Sequence, residues 1–228
     1  NTIHSYGAEQ VALAASAHGA RLVHVSAIGA DEHSRAAYAR SKAEAERLVL
    51  AAQPQAIIMR PSIMFGPEDD FFNRFAALAR ISPALPLIGG GATRFQPVFV
   101  GDVAAAIAEA VDGNAKGGTI YELGGPEVRT FEELMRFVLA TIGRKRLLVP
   151  VPFFAARIKA ALLQYWRKPP LTPDQVELLR TDNVVSAASK AEGRTLQGLG
   201  IQPETIEAIV PSYLWRFRKT GQFHSRAA

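Results

Sequence analysis

Three residues near the start of the chain, Ser26, Tyr38 and Lys42, have the types and the spacing of a proton-transfer site. The apolar run at 22–25 predicts a short buried strand that ends at Ser26. Tyr38 and Lys42 lie four residues apart in a predicted helix, so their side chains share one face of that helix. A nearby ammonium group can lower the pKa of a phenol, and a phenol with a suitable pKa can act as a general acid or base.

The pair Tyr38 and Lys42 also has a plainer interpretation, because tyrosine and lysine stand four residues apart by chance on many helices. Tyr38 could pack between the helix and the sheet while Lys42 extends into solvent beside it. The pair alone favours this packing interpretation. The preceding strand with its terminal Ser26 makes the proton-transfer interpretation equally good, so the rest of the chain has to decide.

The composition is that of an ordinary globular protein, with 48% hydrophobic and 21% charged residues among 228. A chain of this length can form one sizeable domain or a large and a small lobe. It has no cysteine, which excludes disulfides and thiolate metal sites and is typical of a reducing compartment. The net charge of +5 suits an acidic partner such as a nucleotide, an anionic membrane or an acidic protein. No apolar run is long enough to span a bilayer.

Apolar runs and helical patterns alternate along the first half of the chain. Strands are predicted at 21–26, 56–59, 97–100 and 120–123, and helices at 4–18, 34–52, 71–79 and 103–111. Residues 60–62 are predicted to form a turn and 64–67 a loop, and Pro83 and Pro86 are predicted to end the third helix. This alternation implies an α/β fold with a parallel sheet, right-handed crossovers and ligand binding where the strands end.

The last third of the chain is predicted to be mostly helical, with helices at 131–141, 153–167, 173–181 and 203–218. Thr130 with Glu133, and Thr172 with Gln175, have the spacing of capping boxes that open the first and the third of these helices. The helices imply a lobe that packs against the carboxyl edge of the sheet.

Several acidic residues and the five histidines are of the types that bind metals. Glu68, Asp69 and Asp70 could bind a metal, but an acidic first helical turn is the more common meaning of such a run. Asp102 is predicted to be an N-cap. The five histidines lack the spacing of a zinc site, so no metal is predicted.

Two groups of polar residues could contact a phosphate. Arg94 and Gln96 follow a glycine run, and they could bind a substrate phosphate or lie in an exposed turn. Residues 144–146 (RKR) are most simply a basic helix end that could also contact a phosphate or a partner. Nucleic acid is not a predicted partner, because the chain shows neither a recognition helix nor an alternation of aromatic and basic residues.

The segment 151–168 combines an apolar stripe with positive charge. The stripe consists of Phe154, Ile158, Ala161, Leu162 and Tyr165, and the residues beside it are Arg157, Lys159, Trp166, Arg167 and Lys168. A basic amphipathic helix can lie in a membrane interface, although packing of the stripe on the core is the more common outcome. The segment 213–219 shows the same mixture and has the same two interpretations.

Five stretches together resemble the extended or atypical short-chain dehydrogenase/reductase superfamily, whose members include NAD-dependent epimerases and dehydratases. These stretches are VHVSAIGAD, YARSK, RPSIMFGPED, QPVFVGDVAAAI and YELGGPEVRTFEEL. The stretches PSIMFGPEDDFFNRFA and QPVFVGDVA and the tail ending in RKTGQF are similar to the nucleotide-binding accessory subunits of respiratory complex I and their bacterial homologues. The resemblance implies a Rossmann-like fold and NAD or NADP as cofactor.

The resemblance also implies roles for individual residues. In that superfamily the tyrosine is the acid/base and the lysine holds the nicotinamide ribose, which are the positions of Tyr38 and Lys42. The loop that lies over the nicotinamide corresponds to Pro61-Ser62-Ile63. The catalytic hydroxyl corresponds to Ser26 by one count and to the position of Ile28 by another, and an isoleucine could not donate a hydrogen bond to a substrate carbonyl.

The glycine-rich loop that binds the pyrophosphate in this superfamily is not found in the sequence. The run Gly89–Gly91 lacks its spacing and its strand-to-helix context. The chain also begins with Asn, so we expect a fragment whose upstream part is missing and that binds NAD or NADP weakly or not at all. The expected domains are a truncated Rossmann-like domain at 1–125, with residues 67–96 inserted from a substrate lobe, and a helical lobe at 126–228.

Two functions are compatible with these observations. The first is a subunit similar to those of complex I, in which the dinucleotide is a structural or sensing ligand with little turnover. The second is an NAD(P)-dependent epimerase, dehydratase or reductase that acts on a nucleotide sugar or a related alcohol. The expected partners are the dinucleotide and either complex I subunits or an anionic membrane surface. The expected location is cytoplasmic, or peripheral at the inner membrane and on the matrix side in a eukaryote.

Overall fold

The computed structural model describes residues 2–165 and 171–221, where helices and strands alternate along the first half of the chain. The strands are β1 (Val23–Val25), β2 (Ile57–Pro61), β3 (Met64–Phe65), β4 (Ala84–Ile88), β5 (Arg94–Phe95), β6 (Val98–Phe99), β7 (Ile120–Leu123), β8 (Arg129–Thr130) and β9 (Leu147–Val151). The α-helices are α1 (Thr2–Ala17), α2 (Ala37–Ala52), α3 (Phe72–Ile81), α4 (Val100–Asp112), α5 (Phe131–Thr141), α6 (Phe153–Leu163), α7 (Pro173–Leu178), α8 (Ala187–Ala191), α9 (Ile206–Ile209) and α10 (Pro211–Leu214). Short 3-10 helices occupy Gly89–Gly91, Gln197–Leu199 and Trp215–Phe217.

The central sheet has three parallel strands in the order β1-β2-β7. Successive side chains of β2 point to opposite faces, as the two-residue period of a strand requires. Ile57 and Met59 pack on one face with Ala106 of α4, and Ile58 packs on the other with Val49 of α2. The predicted α/β fold with a parallel sheet and flanking helices is therefore confirmed.

An aromatic cluster fills the second part of the molecule, where α3 and α5 pack against short two-stranded sheets. These sheets pair β3 with β6, β4 with β9, and β5 with β8. Edge-to-face ring contacts join Phe65 to Phe72 at 6.1 Å and Phe75 to Phe131 at 5.4 Å between centroids. Such geometry is the favoured one for aromatic pairs and adds to the stability gained from burial. The predicted division of the chain near residue 125 stays a prediction.

The turn predicted at 60–62 and the loop predicted at 64–67 were wrong, and the strand β4 was missed, because long-range pairing overrides the local signal in all three places. Arg60 and Pro61 continue β2 instead of turning, since they pair with Glu122 and Leu123 of β7. The predicted loop at 64–67 contains β3, which pairs with β6. Pro86 lies inside β4, whose partner β9 the sequence did not reveal. A two-stranded sheet tolerates proline because each strand has one edge without a partner.

Three helix predictions also need correction. Helix α2 begins at Ala37 and not at 34, and the carboxylate of Asp174 accepts the backbone N–H groups of Ala37 and Tyr38. The predicted helix at 203–218 is divided at Pro211 into α9, α10 and a 3-10 helix. Helix α6 ends at Leu163, and residues 166–168 lie outside the described residues. The capping boxes at Thr130 and Thr172 are both confirmed.

A buried ion pair joins α2 to the central sheet. Glu46 of α2 accepts hydrogen bonds from Arg60 of β2, at 2.8 Å from Nε and 2.5 Å from Nη2. Glu46 is buried and Arg60 is partly exposed. Both charges leave water on folding, so each depends on the other for compensation.

Substitution Glu46→Gln should lower the free energy of unfolding by about 2 kcal/mol, because it leaves the Arg60 charge without its counter-ion. The matched control is Glu44→Gln, since Glu44 is exposed two residues away on the same helix. Urea unfolding of both variants measures the difference, and equal midpoints for the two would contradict the structural role of the pair.

Candidate functional site

Ser26 lies directly after β1, at the carboxyl edge of the central sheet. Its backbone N–H donates to the carbonyl of Met59 at 2.7 Å, which continues the β1–β2 ladder by one residue. The side chain is buried, and its Oγ has no hydrogen-bond partner among the described residues. Most buried hydroxyl groups in proteins are paired, so this one is available to a ligand.

Tyr38 and Lys42 extend from the first two turns of α2 toward the same strand end. The Lys42 ammonium donates to the carbonyl of Val25, the last residue of β1, at 3.2 Å. The same ammonium lies 5.9 Å from the centroid of the Tyr38 ring. The Lys42 ammonium therefore lies near both the Tyr38 ring and Val25, the residue before Ser26. The spacing predicted that Tyr38 and Lys42 share one face of the helix. The approach of the Tyr38 hydroxyl to Ser26 itself stays a prediction.

The pKa values of the pair differ from the sequence-based expectation. Burial raises the pKa of Tyr38, and burial lowers the pKa of Lys42 against a smaller opposing effect of Glu46. The ammonium was expected to lower the phenol pKa, which is wrong for this conformation. The physical reason is that partial burial disfavours the charged phenolate of Tyr38.

The residues Pro61, Ser62 and Ile63 lie at the end of β2, beside the end of β1. Ser62 is buried, and its hydroxyl donates to Oδ1 of Asn183 at 2.6 Å. The same Oδ1 accepts the backbone N–H of Ile63 at 3.1 Å. The predicted nicotinamide-side loop is therefore held in place by a residue from the last third of the chain.

Asn183 joins three segments and was missed by the sequence analysis. Besides Ser62 and Ile63, its Nδ2 donates to the carbonyl of Ile28 at 3.0 Å, in the loop after β1. Its backbone exchanges hydrogen bonds with Arg94 and Gln96 on either side of Phe95. The only local signal is its place in a polar triplet between two predicted helices, where asparagine commonly bonds to backbone groups.

The two residues considered for phosphate binding are engaged within the protein. Arg94 pairs with Asp182, with 2.8 Å between Nε and Oδ2. Gln96 is buried, which excludes the exposed-turn interpretation for this residue. Its side chain donates to the carbonyl of Gly125 at 2.7 Å and accepts the N–H of Val185 at 3.0 Å. Their contacts position the 182–185 segment rather than a substrate.

The other charged candidates also have structural partners. Asp102 was predicted to be an N-cap, but α4 begins two residues earlier, and its carboxylate accepts the N–H of Glu204 at 2.8 Å. Burial raises the pKa of Asp102. Asp69 accepts the hydroxyl of Tyr213 at 2.5 Å. Asp70 lies 3.5 Å from Arg74. Within the described ranges, no three acidic or histidine side chains gather as a metal site would require.

The basic run at 144–146 and the glycine run at 89–91 both make contacts within the protein. Arg144 donates to the carbonyl of Phe217 at 3.1 Å, and Arg146 to that of Ala79 at 2.8 Å. In the run Gly89–Gly91, all three residues have positive φ, and a Cβ on Gly89 would overlap the ring of Phe153. The glycines therefore form a close-packed turn between β4 and β5, without the strand-to-helix arrangement of a phosphate loop.

Comparisons with known proteins agree with this geometry. The sequence profile of the NAD dependent epimerase/dehydratase family matches residues 3–124. A protein of Arabidopsis thaliana, NADH dehydrogenase (ubiquinone) 1 alpha subcomplex subunit 9, mitochondrial, is 40% identical over 94% of this chain and 55% of its own length. The ceramide reductase of Caulobacter vibrioides is 34% identical over 85% of this chain and 62% of its own length.

Solved structures show the same fold at lower identity. The dTDP-glucose 4,6-dehydratase of Bacillus anthracis, crystallised in complex with NAD, has a TM-score of 0.69. It is 17% identical, and the match covers 96% of this chain and 69% of that one. The chain spans about half the length of the curated complex I relatives it matches.

Substitution Asn183→Ala should lower the free energy of unfolding by roughly 2–4 kcal/mol, because it leaves several buried groups without their hydrogen-bond partner. Asn114→Ala is the matched control, since Asn114 is exposed and bonds to Glu109 five residues away. Urea unfolding compares the two variants. A loss no larger than that of the control would show that Asn183 does not hold the strand ends.

His24 of β1 should make stability depend on pH. Its Nε2 is buried without a partner among the described residues, and burial lowers the pKa of the imidazole, with the Lys42 charge adding to the effect. The unfolded chain then binds a proton that the folded chain resists, so the free energy of unfolding should fall as pH drops below the ordinary histidine value of 6.5.

Urea unfolding at about pH 7.5 and 5.5 measures this loss. His24→Gln should make the loss smaller, whereas the exposed control His18→Gln should leave it unchanged. Equal losses in the wild-type chain and in His24→Gln would rule out His24 as the cause.

Proposed function

The chain belongs to the NAD dependent epimerase/dehydratase family, as its motifs predict, and we propose that it forms the nicotinamide side of a dinucleotide-binding subunit with little turnover. The ligand is NAD or NADP, held as a structural or sensing group. The proposed division places the dinucleotide-binding part at 1–125, with residues 67–96 contributed to a substrate lobe, and a helical lobe at 126–228.

The residues at the sheet edge fit the nicotinamide half of such a ligand. Ser26 offers a buried hydroxyl that has no partner among the residues the structure describes. Lys42 of α2 offers an ammonium that bonds to the carbonyl of Val25, the residue before Ser26. We propose that Lys42 binds the ribose hydroxyls, that Tyr38 lies beside them, and that Pro61, Ser62 and Ile63 cover the ring. When bound, the nicotinamide supplies a hydride donor or acceptor. The chain's own residues orient this ring and exclude water from it.

The similarity to a complex I subunit over 94% of the chain is the observation on which this proposal depends. Partial burial also raises the pKa of Tyr38, which is the opposite direction from the one that favours a tyrosine acid or base at neutral pH. Ile28 in the adjacent loop contributes only backbone groups, since its N–H donates to Pro61 and its carbonyl accepts from Asn183. These contacts suit a site that holds a ligand in position more than a site that transfers protons.

The proposed assembly is a respiratory complex of the complex I type, peripheral to the inner membrane and on the matrix side in a mitochondrion. The support is the similarity to relatives that are named as mitochondrial complex I subunits. In the part of the chain that the structure describes, no helix is long and apolar enough to cross a membrane.

A reductase, epimerase or dehydratase acting on a nucleotide sugar or a related alcohol is the second candidate. It is favoured by the free hydroxyl of Ser26 near Lys42, and by the identity shared with the ceramide reductase. In this case the Tyr38 phenol would donate a proton to the substrate oxygen, or its phenolate would accept one from it. The Ser26 hydroxyl would donate a hydrogen bond to the same oxygen.

Fluorescence titration with NADH should show weak or no binding by these 228 residues, where no glycine-rich phosphate loop is found, and tighter binding by a complete product that joins them to such a loop. In the complete product, Lys42→Ala should weaken binding about tenfold through loss of a charge-assisted hydrogen bond. Lys190→Ala is the control, because Lys190 is exposed on α8. Tyr38→Phe should leave the affinity nearly unchanged.

Turnover separates the two candidate functions. If the protein is an enzyme, Tyr38→Phe should lower kcat by about a hundredfold or more on an accepted alcohol or ketone substrate. Rapid turnover by the unmodified complete product, lost in Tyr38→Phe, would overturn the binding-subunit proposal. Lys42→Ala binding NADH as well as the control would overturn the assigned ligand site.

A further inference from the structure

Helix α6 exposes its large apolar side chains. Phe154, Ile158 and Leu162 are 69%, 62% and 72% exposed, and Tyr165 just beyond the helix is 85% exposed. With 3.6 residues per turn, these four positions fall within about 80° around the helix axis. Packing of this stripe on the core was the more common outcome predicted from sequence, and it is wrong for these side chains.

The opposite face of α6 attaches the helix to the protein. Ala156 and Ala160 are buried against Ile88 of β4 and Val176 of α7. Phe153, the first residue of the helix, also packs in this cluster. Helix α6 is therefore attached through Phe153 and small residues, and it presents the large side chains of the stripe to solvent, which is unusual for an amphipathic helix. Exposed apolar groups in such a cluster are typical of a contact surface.

The second segment with the same sequence pattern behaves differently. In 213–219, Tyr213 and Leu214 are buried in the main aromatic core, and Arg216 bonds to the carbonyl of Pro67 at 3.1 Å. The core interpretation therefore applies to this segment. The contrast shows that a mixture of apolar and basic residues does not by itself lead to exposure. The apolar side chains at the start of 213–219 are buried, whereas those of the α6 stripe are exposed.

The sequence on either side of the stripe is basic. No Asp or Glu lies between Glu133 and Asp174, whereas this interval contains Arg136, Arg144, Lys145, Arg146, Arg157, Lys159, Arg167 and Lys168. Arg157 and Lys159 are exposed, and no carboxylate pairs with either in the described ranges. Each lies about 100° around the axis from the middle of the stripe, one on either side.

We propose that α6 contacts an anionic lipid surface, with its apolar stripe in the interface and Arg157 and Lys159 on lipid phosphates. A flat negative surface meets both basic flanks of a convex helix at once, and lipid chains adapt to four protruding side chains. At 1.5 Å per residue the helix is about 16 Å long, so it lies on the surface and does not cross it. This inference rests on the proposed peripheral location and not on dinucleotide binding.

Co-sedimentation of the full chain with vesicles of phosphatidylcholine, with and without phosphatidylglycerol, tests the proposal. Binding should require phosphatidylglycerol and weaken at high salt, because salt screens the two basic residues. The triple variant Phe154→Ser, Ile158→Ser, Leu162→Ser should lower vesicle binding at least about tenfold. The pair Arg157→Gln, Lys159→Gln should remove the salt dependence.

The matched control is the pair Ile81→Ser and Val111→Ser, which changes side chains that are 85% and 55% exposed away from α6. This control should bind vesicles like the wild-type chain. If the wild-type chain fails to bind vesicles that contain phosphatidylglycerol, or if the triple variant binds them as well as the wild-type chain does, the proposal is overturned. A wild-type dimer that the triple variant converts to a monomer would also overturn it, since the stripe would then be a contact between two copies. NADH titration of the triple variant in the complete gene product should match the wild-type protein, which separates this test from the dinucleotide site.

Discussion

Asn183 supplies hydrogen bonds to the two loops that follow β1 and β2 at the carboxyl edge of the central sheet. Folding buries backbone polar groups at the ends of β1 and β2, beyond the hydrogen bonds of the sheet. A buried backbone group without a hydrogen-bond partner costs free energy. One amide side chain binds Ile28, Ser62 and Ile63 together. A few residues earlier, Asp174 binds the first free N–H groups of α2. The strand ends and the helix that carries Tyr38 are thus fixed by one short stretch of chain.

This arrangement shapes the chemistry available at the site. The Lys42 ammonium donates to the Val25 carbonyl, and partial burial raises the pKa of Tyr38, which disfavours its phenolate form. The hydroxyl of Ser26 is buried and has no partner within the described residues. A strand-end site with these properties suits a ligand that stays in place, which supports the binding proposal.

The sequence predicted what depends on local periodicity and capping. The three strands of the central sheet, helix α5 and the capping boxes at Thr130 and Thr172 all follow from patterns within a few residues. It failed where a distant partner decides the conformation. Residues 60–61 extend a strand because β7 lies beside them, and Pro86 lies in a strand because β9 does.

The features of the candidate site also separate into those set by local patterns and those set by distant partners. The shared face of Tyr38 and Lys42 is a matter of helical spacing, and the place of Ser26 follows from the strand before it. Asn183 could not be found, since its partner Ile28 lies 155 residues away and no local pattern connects them. The shift of the Tyr38 pKa was equally hidden, because it depends on burial, which spacing does not reveal.

The long separation between the clamp and its targets has a consequence for how the protein matures. A chain emerging from the ribosome completes β1, α2 and β2 long before Asp174 and Asn183 have been made. Until then the amides at the start of α2 and at Ile63 have only water as a partner. The strand-end site is therefore completed late, after the three strands of the central sheet have been synthesised, and a nascent chain carries the Tyr38 helix before it carries a finished site.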